Sequence, residues 1–187
     1  RLFHHWLKQW KGFTSHLAEL IYAPEYSEWT LLKIDIKGLY DNIDLERLQL
    51  KLYDGPSPAL RRHFRNLPDV TRETYRVVAR SLVDACKSMT KCGKGVPQGP
   101  AFARFLAEVY LMDFDAAVEG HSEVEPDHYA RYVDDIFIFI RPDADAESVE
   151  AEFLKILGTL GLTHNPDQHF RGRVIDYRPR FSEYWQD

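Results

Sequence analysis

The pattern of apolar and polar positions predicts strands in two parts of the chain. Residues 31–36 alternate between apolar and polar side chains, which predicts a strand that carries Asp35 on its polar face. Residues 129–140 predict a β-hairpin that turns at Asp134 and Asp135, because aspartate tolerates the positive φ angles of tight turns. The second strand of the hairpin is apolar on both faces, which predicts a central strand covered on both sides.

Apolar residues at helical spacing predict helices on either side of the hairpin. Asp44 is predicted to cap a helix over residues 45–52, a second helix is predicted over 72–91, and a third follows a loop rich in proline and glycine. The buried face of the third helix is predicted to consist of Phe102, Phe105, Leu106, Val109 and Met112. A fourth helix is predicted to end at Gly161. This order of elements predicts an α+β fold in which an antiparallel sheet has helices packed on one face.

The composition is that of a globular domain. Hydrophobic residues make up 44% of the 187 residues and aromatic residues 13%, which excludes a disordered tail, a collagen-like fibre and a disulfide scaffold. No apolar run approaches the roughly 18 residues of a membrane-spanning helix, and the first residues lack the apolar stretch of a signal peptide. Cys86 and Cys92 are expected to be free thiols in a reducing compartment, so we expect a cytoplasmic protein with no membrane partner.

Charge is distributed unevenly along the chain. The formal net charge is −5, yet residues 61–104 contain ten basic and only three acidic side chains. Such asymmetry can place a phosphate-attracting patch on an acidic protein. A solvated helix face is the alternative explanation of the same pattern.

Three aspartates are candidates for metal binding. Asp35 lies on the polar face of its predicted strand, and Asp134 and Asp135 lie at the predicted tip of the hairpin. Adjacent carboxylates repel each other unless a cation lies between them, and hard oxygen ligands suit Mg²⁺. The two strands could together hold two metal ions, which activate an attacking oxygen and stabilise a leaving one in phosphoryl transfer. Taken singly, each aspartate is more often a turn former or a helix cap.

Four segments in the expected order resemble the catalytic motifs of reverse transcriptases. Residues 33–44 resemble the first motif, and residues 95–100, with the sequence Gly-Val-Pro-Gln-Gly-Pro, resemble the second. Residues 131–139 contain the box Tyr-Val-Asp-Asp of the third motif, and residues 161–165 resemble the start of the fourth. One such segment is weak evidence, whereas four in order are specific.

The resemblance implies both a fold and a group of relatives. It covers about residues 30–170 and implies a polymerase palm whose antiparallel sheet carries the catalytic aspartates, with partial fingers and no thumb. On this basis residues 1–187 are expected to form a single palm domain that is a fragment of a larger protein. The second motif, and the arginine before Tyr-Val-Asp-Asp, look most like those of bacterial abortive-infection and other phage-defence reverse transcriptases. Retron, group II intron and diversity-generating relatives are next in similarity.

The resemblance also implies roles for individual residues. Asp35, Asp134 and Asp135 would be the catalytic carboxylates and would bind two Mg²⁺ ions, or Mn²⁺ in their place, with the Ile36 carbonyl as an extra ligand. Tyr40 matches the aromatic residue that discriminates against a 2′-hydroxyl. The incoming nucleotide would be contacted by Lys37, Gly38, Tyr40, Gln98 and Gly99. Contact with template or primer phosphates is a weaker assignment, and a solvated surface role is the alternative. It concerns four residues: Arg61, Arg62, Arg65 and Lys94.

The fourth motif departs from the family pattern. The family usually carries a lysine there that is thought to protonate pyrophosphate, and Gln168 occupies the aligned position. The neighbouring His169 is either a substitute acid or an ordinary surface histidine, and the second interpretation is the simpler one.

The function implied by the resemblance is RNA-directed DNA polymerisation, in which deoxynucleotides are added to a 3′-hydroxyl, in bacterial phage defence or a mobile retroelement. The implied partners are an RNA template, a DNA primer or product, deoxynucleoside triphosphates, and finger and thumb segments or partner chains that complete the channel. Three alternatives stay open. They are template-independent or protein-primed DNA synthesis, RNA-directed RNA polymerisation, and a catalytically inactive palm that serves as a binding module.

Overall fold

A computed structural model describes residues 6–54, 58–90 and 93–185 of the chain. The chain forms two compact units, each assembled from segments that are separated in sequence. The unit that we call the sheet unit contains the described residues up to Ile36, Val118–Lys155, and the described residues from His164 onward. The unit that we call the helical unit contains Lys37–Ala117 and Ile156–Thr163.

The sheet has four antiparallel strands in the order β2-β3-β1-β4. The strands are β1 (Thr30–Asp35), β2 (Val124–Tyr132), β3 (Asp135–Ile140) and β4 (Phe170–Arg173). The predicted hairpin therefore forms from β2 and β3, and β3 is a central strand as its apolar sequence predicts. Strand β1 is also central, so its alternating sequence is buried on both faces from Leu31 to Ile34.

The described helices are α1 (Trp6–Tyr22), α2 (Leu39–Asn42), α3 (Leu45–Asp54), α4 (Pro58–Arg65), α5 (Asp69–Met89), α6 (Ala101–Glu119), α7 (Ala146–Thr159) and α8 (Val174–Trp185). Two short 3₁₀ turns lie at Pro24–Tyr26 and Pro166–Gln168. Together with the antiparallel sheet, these helices confirm the predicted α+β class. No helix in the described part of the chain is both long enough and apolar enough to cross a bilayer.

Helices α1 and α8 cover one face of the sheet. Their buried side chains form a core cluster with β1, β2 and β3 that includes Leu17, Ile21, Leu31, Phe137, Phe139 and Tyr177. Arg178 of α8 strengthens the join, because its guanidinium donates hydrogen bonds to the carbonyls of Ile21 and Ala23 at the end of α1. The face of β1 that carries Asp35 therefore packs against α1 and α8, and this close packing limits movement of the strand.

Helix α3 of the helical unit is capped by a side chain. The Asp44 carboxylate accepts hydrogen bonds from the backbone N–H groups of Glu46 and Arg47, which confirms the predicted N-cap of α3.

Buried Tyr110 of α6 donates its hydroxyl to the Leu160 carbonyl at 2.5 Å. Because burial disfavours the phenolate, it raises the pKa of Tyr110, which therefore acts as a neutral hydrogen-bonding strut.

The structure corrects two predictions about helices. The predicted helix over 72–91 begins earlier, at Asp69 directly after Pro68, and α5 ends at Met89. On α6, Leu106 and Val109 are buried as predicted, but Phe105 is 49% exposed, because the buried surface of the helix is centred on other residues. The buried residues of α6 are Ala103, Leu106, Ala107, Val109, Tyr110, Leu111, Phe114 and Val118.

Cysteine use agrees with the sequence where the structure describes it. Cys86 is a free, fully buried thiol in α5, and burial raises its pKa, so the reactive thiolate is disfavoured. Cys92 lies outside the described residues.

Candidate active site

The turn between β2 and β3 is displaced by one residue from its predicted position. Tyr132 pairs with Asp135 across the hairpin, so the two loop residues are Val133 and Asp134, and Asp135 begins β3. Val133 has φ of +60°, the only positive φ of a non-glycine residue in the described chain. A two-residue loop of this kind needs positive φ at its first central position, whichever side chain occupies it.

The hairpin turn is joined to the end of β1. The backbone N–H of Ile36 donates to the Asp134 carbonyl at 3.0 Å. In the same ladder, Asp35 lies directly opposite Asp135. Directly opposite residues on one face of an antiparallel pair have Cβ atoms about 5 Å apart. The sheet thus brings the three predicted aspartates to one end of two central strands.

A lysine lies among these carboxylates. Lys33, two residues before Asp35 on β1, places its Nζ 2.9 Å from a carboxylate oxygen of Asp135. The Lys33 side chain is 9% exposed and the Asp135 side chain 25% exposed, so the ion pair is largely withdrawn from water. A cation of the protein therefore already compensates one of the three negative charges.

The electrostatics of Asp134 are those of a carboxylate in need of a cation. Burial raises the pKa of Asp134, and the nearby carboxylates of Asp135 and Asp35 raise it further. The ammonium of Lys33 acts in the opposite direction but does not cancel these effects. A divalent cation bound between the carboxylates would favour the ionised form of Asp134.

The fourth predicted motif is attached to the first one. His164 forms a β-bridge with Ile36, and the N–H of Asn165 donates to the Asp35 carbonyl at 2.8 Å. Neither this bond nor the one between Ile36 and Asp134 uses the carbonyl of Ile36. That carbonyl is the oxygen that the family resemblance implies as an extra metal ligand.

The donor set fits a hard divalent cation, although its side chains do not yet converge on one point. Carboxylate and carbonyl oxygens are the ligands that Mg²⁺ prefers. Among the described residues, no three side chains of His, Cys, Asp or Glu are grouped closely enough to hold a metal ion. Asp135 points its carboxylate at Lys33, so metal binding at all three aspartates requires a side-chain rearrangement there.

The residues predicted to contact a nucleotide lie in the helical unit, where two of their segments pack together. Gly38, at φ of +55°, precedes α2, and its carbonyl accepts a hydrogen bond from the Asn42 side-chain amide. The N–H of Val96 donates to the Tyr40 carbonyl at 2.8 Å. A Cβ atom on Gly95 would lie 2.5 Å from that same carbonyl oxygen, so only glycine fits there.

This packing fixes the loop that carries Gln98 and Gly99 beside the backbone of Tyr40. Gln98 and Gly99 are exposed, as are Lys37 and Gly38, while the Tyr40 side chain is half-buried. The five predicted nucleotide contacts therefore belong to one unit, and four of them are accessible to a ligand.

The four predicted nucleic-acid contacts differ in their surroundings. Arg61 lies 3.8 Å from the Asp113 carboxylate and, with Arg65, lines a cavity of the helical unit. Arg62 is exposed on the same helix, and Lys94 is exposed beside a second cavity that also contains acidic residues.

The residues in question in the fourth motif lie at the edge of the sheet. Gln168 is exposed at the end of its 3₁₀ turn. His169 is half-buried, with Nε2 2.6 Å from Glu150, which in turn pairs with Arg171. Burial lowers the pKa of His169 in spite of the neighbouring Glu150. The prediction of an ordinary surface histidine is therefore wrong, since His169 is partly buried and contacts the Glu150 carboxylate of the Glu150–Arg171 ion pair.

Sequence reasoning missed Lys33, Val133 and Gly95 as parts of these sites. The period of two in β1 places Lys33 on the same face as Asp35, which is the signal that could have identified it. No local signal indicates the positive φ of Val133, because valine is disfavoured in that conformation.

Comparison with known proteins agrees with the family resemblance of the sequence motifs. A search of curated proteins finds no match to this chain. The family model described as reverse transcriptase (RNA-dependent DNA polymerase) matches residues 5–169, which is most of the chain. Its match includes every residue predicted above to bind metal, nucleotide or nucleic acid. The chain therefore belongs to the reverse transcriptase family.

Proposed function

We propose that the protein catalyses RNA-directed DNA synthesis at the three aspartates Asp35, Asp134 and Asp135. The observation that carries the proposal is the pairing of Asp35 with Asp135 across two central strands, with Asp134 in the adjoining turn. Reverse transcriptases act on nucleic acids and deoxynucleoside triphosphates, so membership of the family supports this class of substrate.

Two Mg²⁺ ions bound by these carboxylates would lower the pKa of the primer 3′-hydroxyl and compensate the charge that develops on the pyrophosphate. The chain's contribution is to hold the carboxylates in place. The ladder between β1 and β3 fixes Asp35 and Asp135, and the Ile36 N–H fixes the turn at Asp134. Lys33 orients Asp135 and limits carboxylate repulsion before the ions bind.

Nucleotide selection is proposed for the helical unit. Tyr40 would pack against the sugar and exclude a 2′-hydroxyl, and the hydrogen bond from Val96 to its carbonyl holds its backbone in position. The exposed residues Lys37 and Gly38 and the loop at Gln98 and Gly99 would contact the triphosphate and base. If Tyr40 selects deoxynucleotides, Tyr40→Ala increases ribonucleotide incorporation relative to deoxynucleotide incorporation. An unchanged ratio would contradict this role and leave RNA-directed RNA synthesis open.

The decisive experiment is nucleotide incorporation by the protein and by its Asp134→Asn variant. Reactions contain Mg²⁺ and labelled deoxynucleotides, with and without a primed RNA template. Incorporation that requires both the template and Asp134 is the expected result. Incorporation that requires Asp134 but no template would replace the proposal with terminal or protein-primed synthesis. Equal incorporation by the wild-type protein and the variant would exclude Asp134 from the reaction.

A catalytically inactive binding module is the second candidate. The Lys33–Asp135 ion pair favours it, because the Lys33 ammonium neutralises one of the carboxylates that would bind metal. The two candidates differ in their response to metal. An active palm is stabilised by Mg²⁺ together with a deoxynucleoside triphosphate, whereas an unchanged melting temperature would favour the inactive module.

A role in bacterial phage defence is proposed on the resemblance of the second motif and of the arginine before Tyr-Val-Asp-Asp. Its test is survival of phage-challenged bacteria that express the protein, beside cells that express Asp134→Asn. Protection that is lost in the variant would support the role, and protection by neither protein would contradict it.

A further inference from the structure

A cavity of about 410 Å³ opens in the helical unit, between helices α3, α4 and α5. Its volume is within the range of small-molecule and cofactor sites, roughly 300–1,000 Å³. Five of its eight lining residues belong to the basic segment 61–104, and it contains none of the residues proposed for catalysis or nucleotide selection.

The lining of the cavity is strongly cationic. Five of the eight lining side chains are basic and none is acidic: Lys51, Arg61, Arg65, Arg72 and Arg76. Asp113 compensates the first two, with a carboxylate oxygen 2.9 Å from Lys51 and another 3.8 Å from Arg61. Asp69 forms an ion pair with Arg72.

Arg65 and Arg76 are the two lining cations whose charge no described acidic side chain compensates. Both are exposed, and neither forms an ion pair with any residue in the described part of the chain. Arg65 is at the end of α4 and Arg76 is on α5, so the two guanidinium groups reach the cavity from different helices. Planar guanidinium groups bind phosphate through paired hydrogen bonds, and two of them define a phosphate site better than scattered lysines would.

The rest of the lining is aromatic and held in place. Phe64 packs against Tyr75 with ring centroids 4.4 Å apart. The hydroxyl of Tyr53 accepts hydrogen bonds from Gln49 at 2.9 Å and from Arg80 at 3.0 Å. Two aromatic side chains with restricted positions give a surface on which a flat base can stack, and stacking of this kind does not depend on sequence.

We propose that this cavity binds a nucleotide unit of single-stranded nucleic acid, with its phosphate on Arg65 and Arg76 and its base on Phe64. An inorganic anion would satisfy the arginines but leave the aromatic surface and most of the volume unused. An acidic peptide would satisfy the charge, but only a nucleotide always carries a flat ring beside its phosphate. This proposal adds a strand-binding site to the proposed polymerase and rests on that function for the identity of the strand, whereas its test by RNA binding does not depend on the aspartates.

The experiment measures the affinity of a labelled single-stranded RNA of about 12 nucleotides by fluorescence anisotropy, with no metal and no triphosphate present. The test variant is Arg65→Gln combined with Arg76→Gln. The matched control is Lys87→Gln combined with Lys155→Gln, which removes the same charge at exposed positions outside this cavity that carry no assigned role. Unchanged melting temperatures establish that both variants fold.

The cavity variant is expected to bind about tenfold more weakly or worse. The slope of log affinity against log salt should fall by about 0.7, since the two arginines share one phosphate and each lost phosphate contact contributes about 0.7 for a single strand. The control should remain within about twofold of the wild type. Phe64→Leu should cost about fivefold or more while it leaves the salt slope unchanged, because it removes stacking only. Equal losses in the cavity and control variants would overturn the proposal in favour of diffuse surface charge.

A second arm identifies the source of the nucleotide unit. Single-stranded RNA and a free deoxynucleoside triphosphate share the phosphate and the base, so each is titrated separately against the labelled RNA. Displacement by unlabelled RNA at concentrations where the triphosphate has no effect is the expected result. If the triphosphate displaced the labelled RNA at a lower concentration than unlabelled RNA does, the assignment to a nucleic acid strand would be overturned.

Discussion

The ammonium nitrogen of Lys33 lies 2.9 Å from a carboxylate oxygen of Asp135, and both residues share a sheet face with Asp35. The position of this lysine is dictated by strand geometry, since side chains two residues apart point the same way. Its ammonium is therefore held among the carboxylates that are proposed to bind metal. An ion pair this poorly hydrated is costly to break from one side, because the partner's charge then stays behind uncompensated.

Lys33→Met should make the stability of the protein depend more strongly on divalent metal. Without metal, we expect the free energy of unfolding to fall by about 2 kcal/mol, less than for a fully buried pair because Asp135 retains some contact with water. Mg²⁺ should then raise the melting temperature more in the variant than in the wild type, because the ion replaces the lost positive charge. Thermal unfolding with and without Mg²⁺ measures both effects.

Lys51→Met is the matched control for that experiment. Lys51 has the same side-chain exposure of 9% and the same 2.9 Å distance to its partner, Asp113. It should lower stability similarly and leave the increment produced by Mg²⁺ unchanged. Identical Mg²⁺ increments in Lys33→Met and the wild type would refute the inference that Lys33 compensates the metal-binding carboxylates.

Val133→Gly should stabilise the protein, because glycine adopts positive φ without steric cost. The strain of a β-branched residue at φ of +60° costs about 1–3 kcal/mol, which the glycine variant would gain. The greater freedom of glycine in the unfolded chain reduces this gain by about 0.4–1 kcal/mol. With some loss of packing, we expect the free energy of unfolding to rise by about 1 kcal/mol.

Val133→Ala separates strain from packing in the same turn. Alanine loses most of the valine contacts but keeps the Cβ atom that makes positive φ unfavourable, so this variant should be less stable than the wild type. Urea unfolding of the three proteins gives the order directly. If glycine proved no more stable than alanine, strain at Val133 would be negligible.

Gly95→Ala should separate the loop 95–100 from Tyr40. The new Cβ atom would lie 2.5 Å from the Tyr40 carbonyl oxygen and 2.9 Å from backbone atoms of Asp41, and these atoms cannot move aside as a flexible side chain can. We expect a loss of about 3 kcal/mol in the free energy of unfolding, which combines overpacking with unfavourable φ.

Gly99→Ala controls for backbone conformation without the clash. Gly99 also has positive φ, +109°, but no atom lies within 4 Å of the position of a Cβ. Its substitution should cost only about 1 kcal/mol. Denaturant unfolding of both variants is the measurement, and similar losses at the two positions would mean that Gly95 is needed for its φ angle alone.

The sequence identified the elements with strong periodicity and missed features set by long-range pairing. Strand β1 and the hairpin were predictable because alternation and apolar runs are local signals. The turn was placed one residue too late because the Asp-Asp pair is the better turn sequence, whereas the register with β1 decides where the chain reverses. Helix α4 has no counterpart among the predicted helices; it begins at Pro58, and proline is favoured in the first turn of a helix.

The candidate site shows the same division between local and long-range information. The motifs identified Asp35, Asp134 and Asp135 because their spacing is a property of the sequence itself. The ion pair of Lys33 with Asp135 depends on which residues of two strands face each other, about 100 positions apart, and no local pattern encodes that. The cavity at Arg65 and Arg76 likewise exists only once three helices have packed.

His128 should make the protein less stable in mild acid. Its ring stacks on Trp29 with centroids 4.9 Å apart and meets Tyr26 edge-on at 4.6 Å, and both ring nitrogens are buried without a hydrogen-bond partner in the described chain. Burial lowers the pKa of His128, an effect that His16 reinforces and that the carboxylates of Glu125 and Asp127 only partly oppose.

The sign of the pH dependence follows from proton uptake. Below the ordinary histidine pKa of about 6.5 the unfolded chain binds a proton at His128 and the native protein does not, so stability falls as pH falls toward the native pKa. His128→Phe keeps the ring packing, does not titrate, and leaves no unpaired nitrogen, so it should be more stable at neutral pH, with an advantage that widens on acidification. His128→Gln should lose the packing yet share the flatter pH profile. Urea unfolding of the three proteins between about pH 7.5 and pH 5.5 measures this, and parallel profiles for the wild type and His128→Phe would show that His128 is not the titrating group.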